Sequence, residues 1–93
     1  MLVEPGMLLM YRSAENNPNM TDSLVEYLFN YISYFQVEKQ ADFMLSVQRV
    51  MKDCQEKGVI KDLKKLINHP KLKPDTQHKL KILYRADEEV KNI

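Results

Sequence analysis

Apolar residues recur at every third or fourth position through most of this chain, the spacing that places them on one face of an α-helix. Sustained alternation of apolar and polar residues, the mark of a half-buried strand, does not occur. Neither glycine follows an asparagine or aspartate, as it would in a common hairpin turn. The pattern therefore predicts an all-α protein of about five helices joined by short loops.

The first predicted helix begins near Pro5, because proline suits a first helical turn, and ends in the polar run at 15–18. Asn17 precedes a proline and is therefore pushed out of helical backbone angles. This run is the predicted break between the first two helices.

The second predicted helix follows the segment 19–22, in which Asn19 or Thr21 can accept a hydrogen bond from a free N–H group. Its apolar stripe consists of Leu24, Val25, Leu28, Phe29, Ile32 and Phe35. A second stripe beside it consists of Tyr27, Tyr31 and Tyr34. A helix with so much apolar and aromatic circumference is typical of a central element, so we expect it to contact neighbours on more than one side.

The third predicted helix spans residues 38–56 and ends before Gly58, which can adopt the left-handed angles found just past a helix. Its predicted buried face consists of Phe43, Met44, Val47, Val50, Met51 and Cys54. The fourth predicted helix spans residues 59–67, and the fifth begins at Pro74, with its end, residues 88–93, expected to fray. Their apolar positions are Val59, Ile60, Leu63, Leu66, Ile67, Leu80, Ile82, Leu83, Ala86 and Val90.

The stretch INHPKLKPD at 67–75 is predicted to be a rigid corner between the last two helices. Pro70 forces His69 out of helical angles, so the fourth helix must end by Asn68. Pro74 already has the backbone angle that starts a helix. We expect Leu72 to lie under the corner and His69 to be a loop residue.

The second and third helices, and the fourth and fifth, are predicted to pair as antiparallel hairpins. Stacked hairpins form HEAT-like α-solenoids, but the two hairpins do not match in sequence, so a compact helical bundle stays open as the alternative. Ninety-three residues correspond to one domain, residues 1–93, or to a piece of a longer solenoid.

The sequence gives little support for catalysis, a cofactor or a metal. Cys54 lies on the predicted apolar face of the third helix, where a buried structural cysteine is expected. His69 and His78 lack nearby cysteine pairs, and their spacing is poor for zinc. The carboxylates at 87–89 are interpreted as a solvated helix end. A membrane span and a signal peptide are not predicted, and a single cysteine favours the cytosol or nucleus.

Charge is distributed unevenly, although the net charge is only +1. Residues 1–56 carry four basic and eight acidic side chains, whereas the basic segment, residues 57–85, carries nine basic and two acidic side chains. A solvated lysine face is the favoured interpretation, and contact with nucleic acid or an acidic partner is the alternative. The candidate contact residues are Lys61, Lys64, Lys65, Lys71, Lys73, Lys79, Lys81 and Arg85.

The order of motifs resembles one protein family. VEPGMLLM, a polar break, LVEYLFNYISYF, a long third helix and KGVIKDLKKLINHPKLKPDTQHKLKILY follow one another as in Integrator complex subunit 3, also the scaffold subunit of the SOSS complex. The resemblance covers Leu2 to Tyr84. It includes the turn formed by Asn68, Pro70, Lys71 and Leu72.

This resemblance implies a non-enzymatic nuclear scaffold. In that family the matching segment lies toward the end of an N-terminal α-helical repeat region. The partners implied are other complex subunits: a small OB-fold protein that binds single-stranded DNA, and a small accessory subunit. The processes implied are the DNA damage response and small nuclear RNA processing. The methionines and tyrosines of the first two helices agree with a chain that buries apolar helix faces against neighbours. No contact residues are carried over.

Overall fold

The computed structural model describes residues 6–61 and 63–92, which form five α-helices. The helices are α1 (Gly6–Asn16), α2 (Pro18–Lys39), α3 (Phe43–Lys57), α4 (Lys64–Ile67) and α5 (Pro74–Lys91). No strand occurs within these described ranges, so the predicted all-α class and the predicted number of helices are confirmed. Pro5, the predicted start of the first helix, lies outside the described residues.

A single residue separates α1 from α2. Asn17 is extended, with φ −141° and ψ 107°, as the following proline requires. Its side-chain oxygen accepts a hydrogen bond from the Asn19 backbone N–H at 3.1 Å, so Asn17 is the cap and Pro18 the first helical residue. The prediction that α2 starts after residues 19–22, with Asn19 or Thr21 as its cap, was therefore wrong.

The boundary between α2 and α3 also differs from the prediction. α2 continues to Lys39 and ends at Gln40, whose φ of 51° is left-handed. Asp42 caps α3 by accepting a hydrogen bond from the Leu45 backbone N–H at 2.7 Å. The predicted start of the third helix at residue 38 was wrong, because no proline or glycine interrupts this stretch. The predicted left-handed Gly58 after the third helix is confirmed by its φ of 65°.

The fourth helix, predicted over residues 59–67, is a single turn. Val59 belongs to the cap of α3 instead, because its N–H bonds to the Cys54 carbonyl at 3.1 Å across Gly58. Val59 and Ile60 are buried as predicted, but outside a helix. α4 ends at Ile67, and the chain passes through His69 as a loop, as the two prolines predicted.

A local hydrogen bond and the packing of one leucine stabilise the 67–75 corner. The Lys71 backbone N–H donates to Nδ1 of His69 at 3.3 Å, which gives the histidine a structural role in the turn. Leu72 is half-buried against the core, as predicted for the residue under the corner. Pro74 starts α5, with Asp75 in the first turn.

The helices form a compact body with principal extents of 35 × 24 × 23 Å. α2 contacts α1, α3 and α5, which confirms its predicted central position. The predicted pairs α2/α3 and α4/α5 do touch, but the most extensive contacts join α1 to α2 and α3 to α5. The fully buried large side chains are Met7, Leu24, Leu28, Ile32, Met51, Leu63, Leu80, Leu83, Val25, Val47 and Val50.

Two predictions about burial were wrong. Phe43 and Met44 were expected on the buried face of α3, but they lie in its first turn and remain 38% and 46% exposed. Asp87 was expected in solvent but is 2% exposed, because it accepts a hydrogen bond from Gln55 Nε2 at 2.6 Å and pairs with Lys91 at 3.0 Å. α5 accordingly stays helical to Lys91 rather than fraying after residue 88.

Candidate interaction surfaces

The basic segment is spread over several kinds of local structure. Lys61 lies in the loop before α4, Lys64 and Lys65 lie on α4, and Lys71 lies in the corner. Lys73 stands just before α5, which carries the remaining three candidates, Lys79, Lys81 and Arg85. Because Lys61 precedes the helix, Lys61, Lys64 and Lys65 do not share one helical face.

Several of these cations already face carboxylates. Lys73 Nζ lies 3.8 Å from Asp22, which also accepts a hydrogen bond from the Thr76 hydroxyl and so ties the start of α5 to α2. Lys79 Nζ lies 3.3 Å from Asp75 and 5.5 Å from the ring centroid of Phe29.

Arg85 Nε lies 4.0 Å from Glu89. By contrast, Lys61, Lys65, Lys71 and Lys81 are exposed, and no carboxylate among the described residues lies within 4.0 Å of them.

A second candidate surface, which is apolar, was not predicted from the sequence. Six large apolar side chains are exposed among the described residues, and five of them lie between residues 34 and 45. We call these five the α2–α3 corner: Tyr34, Val37, Phe43, Met44 and Leu45. These residues lie at the end of α2 and the start of α3. The sequence placed the helix boundary at residue 38, so helical periodicity did not assign them to one surface.

An open groove of about 640 Å³ runs from this corner between α2 and α3. One wall is the stripe Tyr31, Phe35 and Lys39, spaced by four residues on α2. Leu45 and Arg49 form the facing wall on α3. We call this feature the α2–α3 groove.

One buried residue forms the floor of the α2–α3 groove, and charged residues line the end of the groove that is farthest from Leu45. Val50, which is 1% exposed, contributes the floor. Lys52, Asp53, Glu56 and Lys57 line the rest, and the Lys57 ammonium lies 3.3 Å from the Asp53 carboxylate.

The groove is basic although the N-terminal half of the chain is acidic. Four basic and two acidic side chains line it. No carboxylate among the described residues lies within 4.0 Å of Lys39, Arg49 or Lys52. Burial, and secondly the Asp53 carboxylate, raise the pKa of the Tyr31 phenol on the groove wall.

A model of the Integrator complex subunit 3 N-terminal family matches residues 1–82. The chain belongs to this family. Curated homologues of Integrator complex subunit 3 from Drosophila sechellia and Drosophila erecta are each 31% identical over 85 residues, and the homologue from Drosophila mojavensis is 29% identical over 85 residues. These alignments cover 91% of this chain and 8% of each relative, so the chain spans a small part of their length. No solved structure matches it significantly.

The match to the Integrator subunit 3 family includes the whole α2–α3 groove and, of the candidate cations, all except Arg85. Cys54 is fully buried, and burial raises the pKa of its thiol to about 12, as expected for a structural cysteine. Within residues 6–61 and 63–92, no three His, Cys, Asp or Glu side chains are grouped to hold a metal ion. In the same ranges, no helix has the length and apolar character needed to cross a membrane.

Proposed function

We propose that this chain is a non-enzymatic protein-interaction segment of a nuclear α-helical scaffold of the Integrator type. The observation that carries the proposal is the family match over residues 1–82. The names of the relatives describe a subunit of a complex, and a subunit acts through contacts with other proteins. The exposed α2–α3 corner supports the proposal, because clustered exposed apolar side chains mark sites of protein association.

The finer part of the proposal concerns partners and pathway. The chain forms a single helical unit, residues 1–93, of a longer α-helical scaffold. That scaffold works with an OB-fold protein that binds single-stranded DNA, in the DNA damage response and in small nuclear RNA processing. The compact packing around α2 supports a unit of this kind, since each of the five helices contributes buried residues to one core.

Affinity purification from nuclear extract followed by mass spectrometry tests this function. A tagged wild-type chain should enrich Integrator subunits and an OB-fold protein that binds single-stranded DNA. The matched control is Leu28→Pro, which places a proline inside α2 at a fully buried position and should abolish the fold. Equal recovery of these proteins by the wild-type chain and by the unfolded control would refute the proposal.

A second candidate function is nucleic-acid binding by the basic segment. The observation that favours it is the set of exposed cations without a carboxylate within 4.0 Å among the described residues: Lys61, Lys65, Lys71 and Lys81. Such side chains can neutralise phosphates, and affinity should then fall steeply with salt.

Fluorescence anisotropy with labelled single-stranded DNA and RNA at two salt concentrations tests this second function. The triple change of Lys65, Lys71 and Lys81 to Glu should abolish binding. The same number of charge reversals in the groove, at Lys39, Arg49 and Lys52, is the control. Loss of binding in both triples alike would mean that only net charge matters, and the basic segment would then not be the site.

A further inference from the structure

We propose that the α2–α3 groove binds an amphipathic helix of a partner protein whose flanking side chains are acidic. The inference rests on the proposed function, because it assigns a surface and a partner chemistry to the protein-interaction segment. It is carried by the apolar walls of the groove, its dimensions and three cations, Lys39, Arg49 and Lys52, that have no carboxylate of the described residues within 4.0 Å.

Apolar side chains from both helices line the walls of the groove. Tyr31 and Phe35 are half-buried and packed on the core, so they form a fixed surface rather than mobile side chains. Leu45 faces them from α3 and is 42% exposed. Covering such side chains removes apolar area from water, which favours binding by about 25 cal/mol per Å² before the costs of association.

The length of the groove matches a short helix. Tyr31 and Lys39 are separated by eight residues on α2, about 12 Å at 1.5 Å per residue. Leu45 and Glu56 are separated by eleven residues on α3, about 16 Å at the same rise. Two adjacent helices accept the ridge of a third helix between them, so an occupant of two to three turns fits.

Charge selects an acidic occupant. The Lys57–Asp53 pair neutralises itself at one end of the groove. Lys39, Arg49 and Lys52 border the remainder and have no carboxylate of the described residues within 4.0 Å. Carboxylates on the flanks of a bound helix would meet these cations at the rim, where such pairs determine specificity and association rate and weaken with salt.

The orientation of the ligand follows from Glu56, which lines the groove and has no basic group of the described residues within 4.0 Å. Glu56 lies at the end opposite the exposed Leu45, one turn from Lys52 on α3. A partner helix should therefore place its carboxylates beside Lys39, Arg49 and Lys52 and keep them away from Glu56. This is a directional requirement that a non-specific basic surface would not have.

Binding of a designed probe tests the inference. The probe is a fluorescein-labelled, stapled helical peptide of about 11 residues, or three turns, with Leu at positions i, i+3, i+4 and i+7 and Glu on both flanks. The matched peptide carries Lys in place of every Glu. Anisotropy with the wild-type chain should show at least about tenfold tighter binding of the Glu peptide. Amide NMR shifts should concentrate at residues 31–39 and 45–57.

Two triple variants locate the site. The groove triple, Lys39, Arg49 and Lys52 to Glu, should weaken binding of the Glu peptide at least about tenfold. The control triple, Lys65, Lys71 and Lys81 to Glu, makes the same change in net charge and should leave the affinity within about twofold. All six positions are exposed, and circular dichroism checks that both variants stay folded.

Several outcomes would overturn the inference. These are equal binding of the two peptides, equal loss in the two triples, and NMR shifts outside α2 and α3. Binding of labelled single-stranded DNA that is lost in the groove triple and kept in the control triple would make the groove a nucleic-acid site. A concentration-dependent dimer that disappears in the groove triple would make it a contact between copies of this chain.

The affinity purification separates this inference from the proposed function. If the wild-type chain and the groove triple enrich Integrator subunits equally, the groove inference fails and the scaffold function stands. If the wild-type chain enriches none of them but binds the Glu peptide through the groove, the scaffold function fails and the groove inference stands.

Discussion

Replacing Asp87 with Ala should destabilise the protein far more than replacing the neighbouring Glu88. Asp87 is 2% exposed and links α5 to α3 through Gln55, which donates from Nε2 to the Asp87 carboxylate at 2.6 Å and to its carbonyl at 3.0 Å. Glu88 occupies the next position on α5 and is half-exposed. The two residues carry the same charge on adjacent helical positions, so their difference isolates the effect of burial.

The expected loss follows from the contacts of Asp87. A hydrogen bond to an ionised group contributes about 1.5–3 kcal/mol, and Asp87→Ala also leaves Gln55 without that carboxylate partner. The Lys91 pair adds little, at most about 0.5 kcal/mol, because the Lys91 side chain is 43% exposed and solvent screens it. The sum is about 2–3 kcal/mol. This is a large fraction of the roughly 5–14 kcal/mol expected for a chain of this length.

Thermal unfolding followed by circular dichroism measures the effect. For a domain of this size, about 2–3 kcal/mol corresponds to a fall in Tm of roughly 10–20 °C. Glu88→Ala should change the Tm by no more than about 3 °C. A double-mutant cycle between Gln55→Ala and Asp87→Ala should give a coupling energy of at least about 1 kcal/mol. Equal melting of Asp87→Ala and Glu88→Ala, or a coupling near zero, would refute the reasoning.

Four further changes have defined signs. Gln40→Gly should raise the free energy of unfolding by about 0.5–1 kcal/mol in urea titrations, because the φ of 51° at Gln40 strains a residue with a side chain but not a glycine. Gly58→Ala should lower the free energy of unfolding by about 1 kcal/mol. An added methyl group meets no atom within 4 Å at Gly58, so the loss comes from backbone strain alone. Thr21→Val should stabilise by about 1 kcal/mol in the same assay, because the buried Thr21 hydroxyl has no hydrogen-bond partner among the described residues. Cys54 should resist thiol reagents until the protein unfolds. Because its pKa is raised to about 12 in the folded state, stability should fall between about pH 9 and pH 12 by up to about 1.4 kcal/mol per pH unit, and Cys54→Ala should remove this contribution.

Most of the helical architecture could be predicted from local signals. The apolar stripe of α2, the left-handed Gly58 and the prolines of the 67–75 corner each depend on neighbouring residues, and each prediction is confirmed. The order of motifs also led to the right family, because that order is preserved over residues 1–82.

The errors arose where local signals were missing or where distant residues decided the outcome. Gln40 adopts left-handed angles without being a glycine, so nothing in the sequence marks the end of α2. Asp87 looks like a solvated acid until Gln55, which lies 32 residues earlier in the chain, is brought against it. The α2–α3 groove combines residues from two helices whose boundary had been placed wrongly, so its walls could not be assembled from periodicity.

Charge density along the chain is therefore a poor guide to where charge is available for a partner. The basic segment is the most positive stretch of the sequence, yet folding places carboxylates within 4.0 Å of Lys73, Lys79 and Arg85. The acidic half of the chain instead leaves Arg49 and Lys52 unpaired among the described residues, beside apolar walls. An apolar helix can bind against those walls only if the side chains on its flanks are compatible with the neighbouring cations. The groove should therefore select helices with acidic flanks over helices with basic flanks. Each triple of charge reversals therefore measures how strongly binding at its own surface depends on cations that have no carboxylate of the described residues within 4.0 Å.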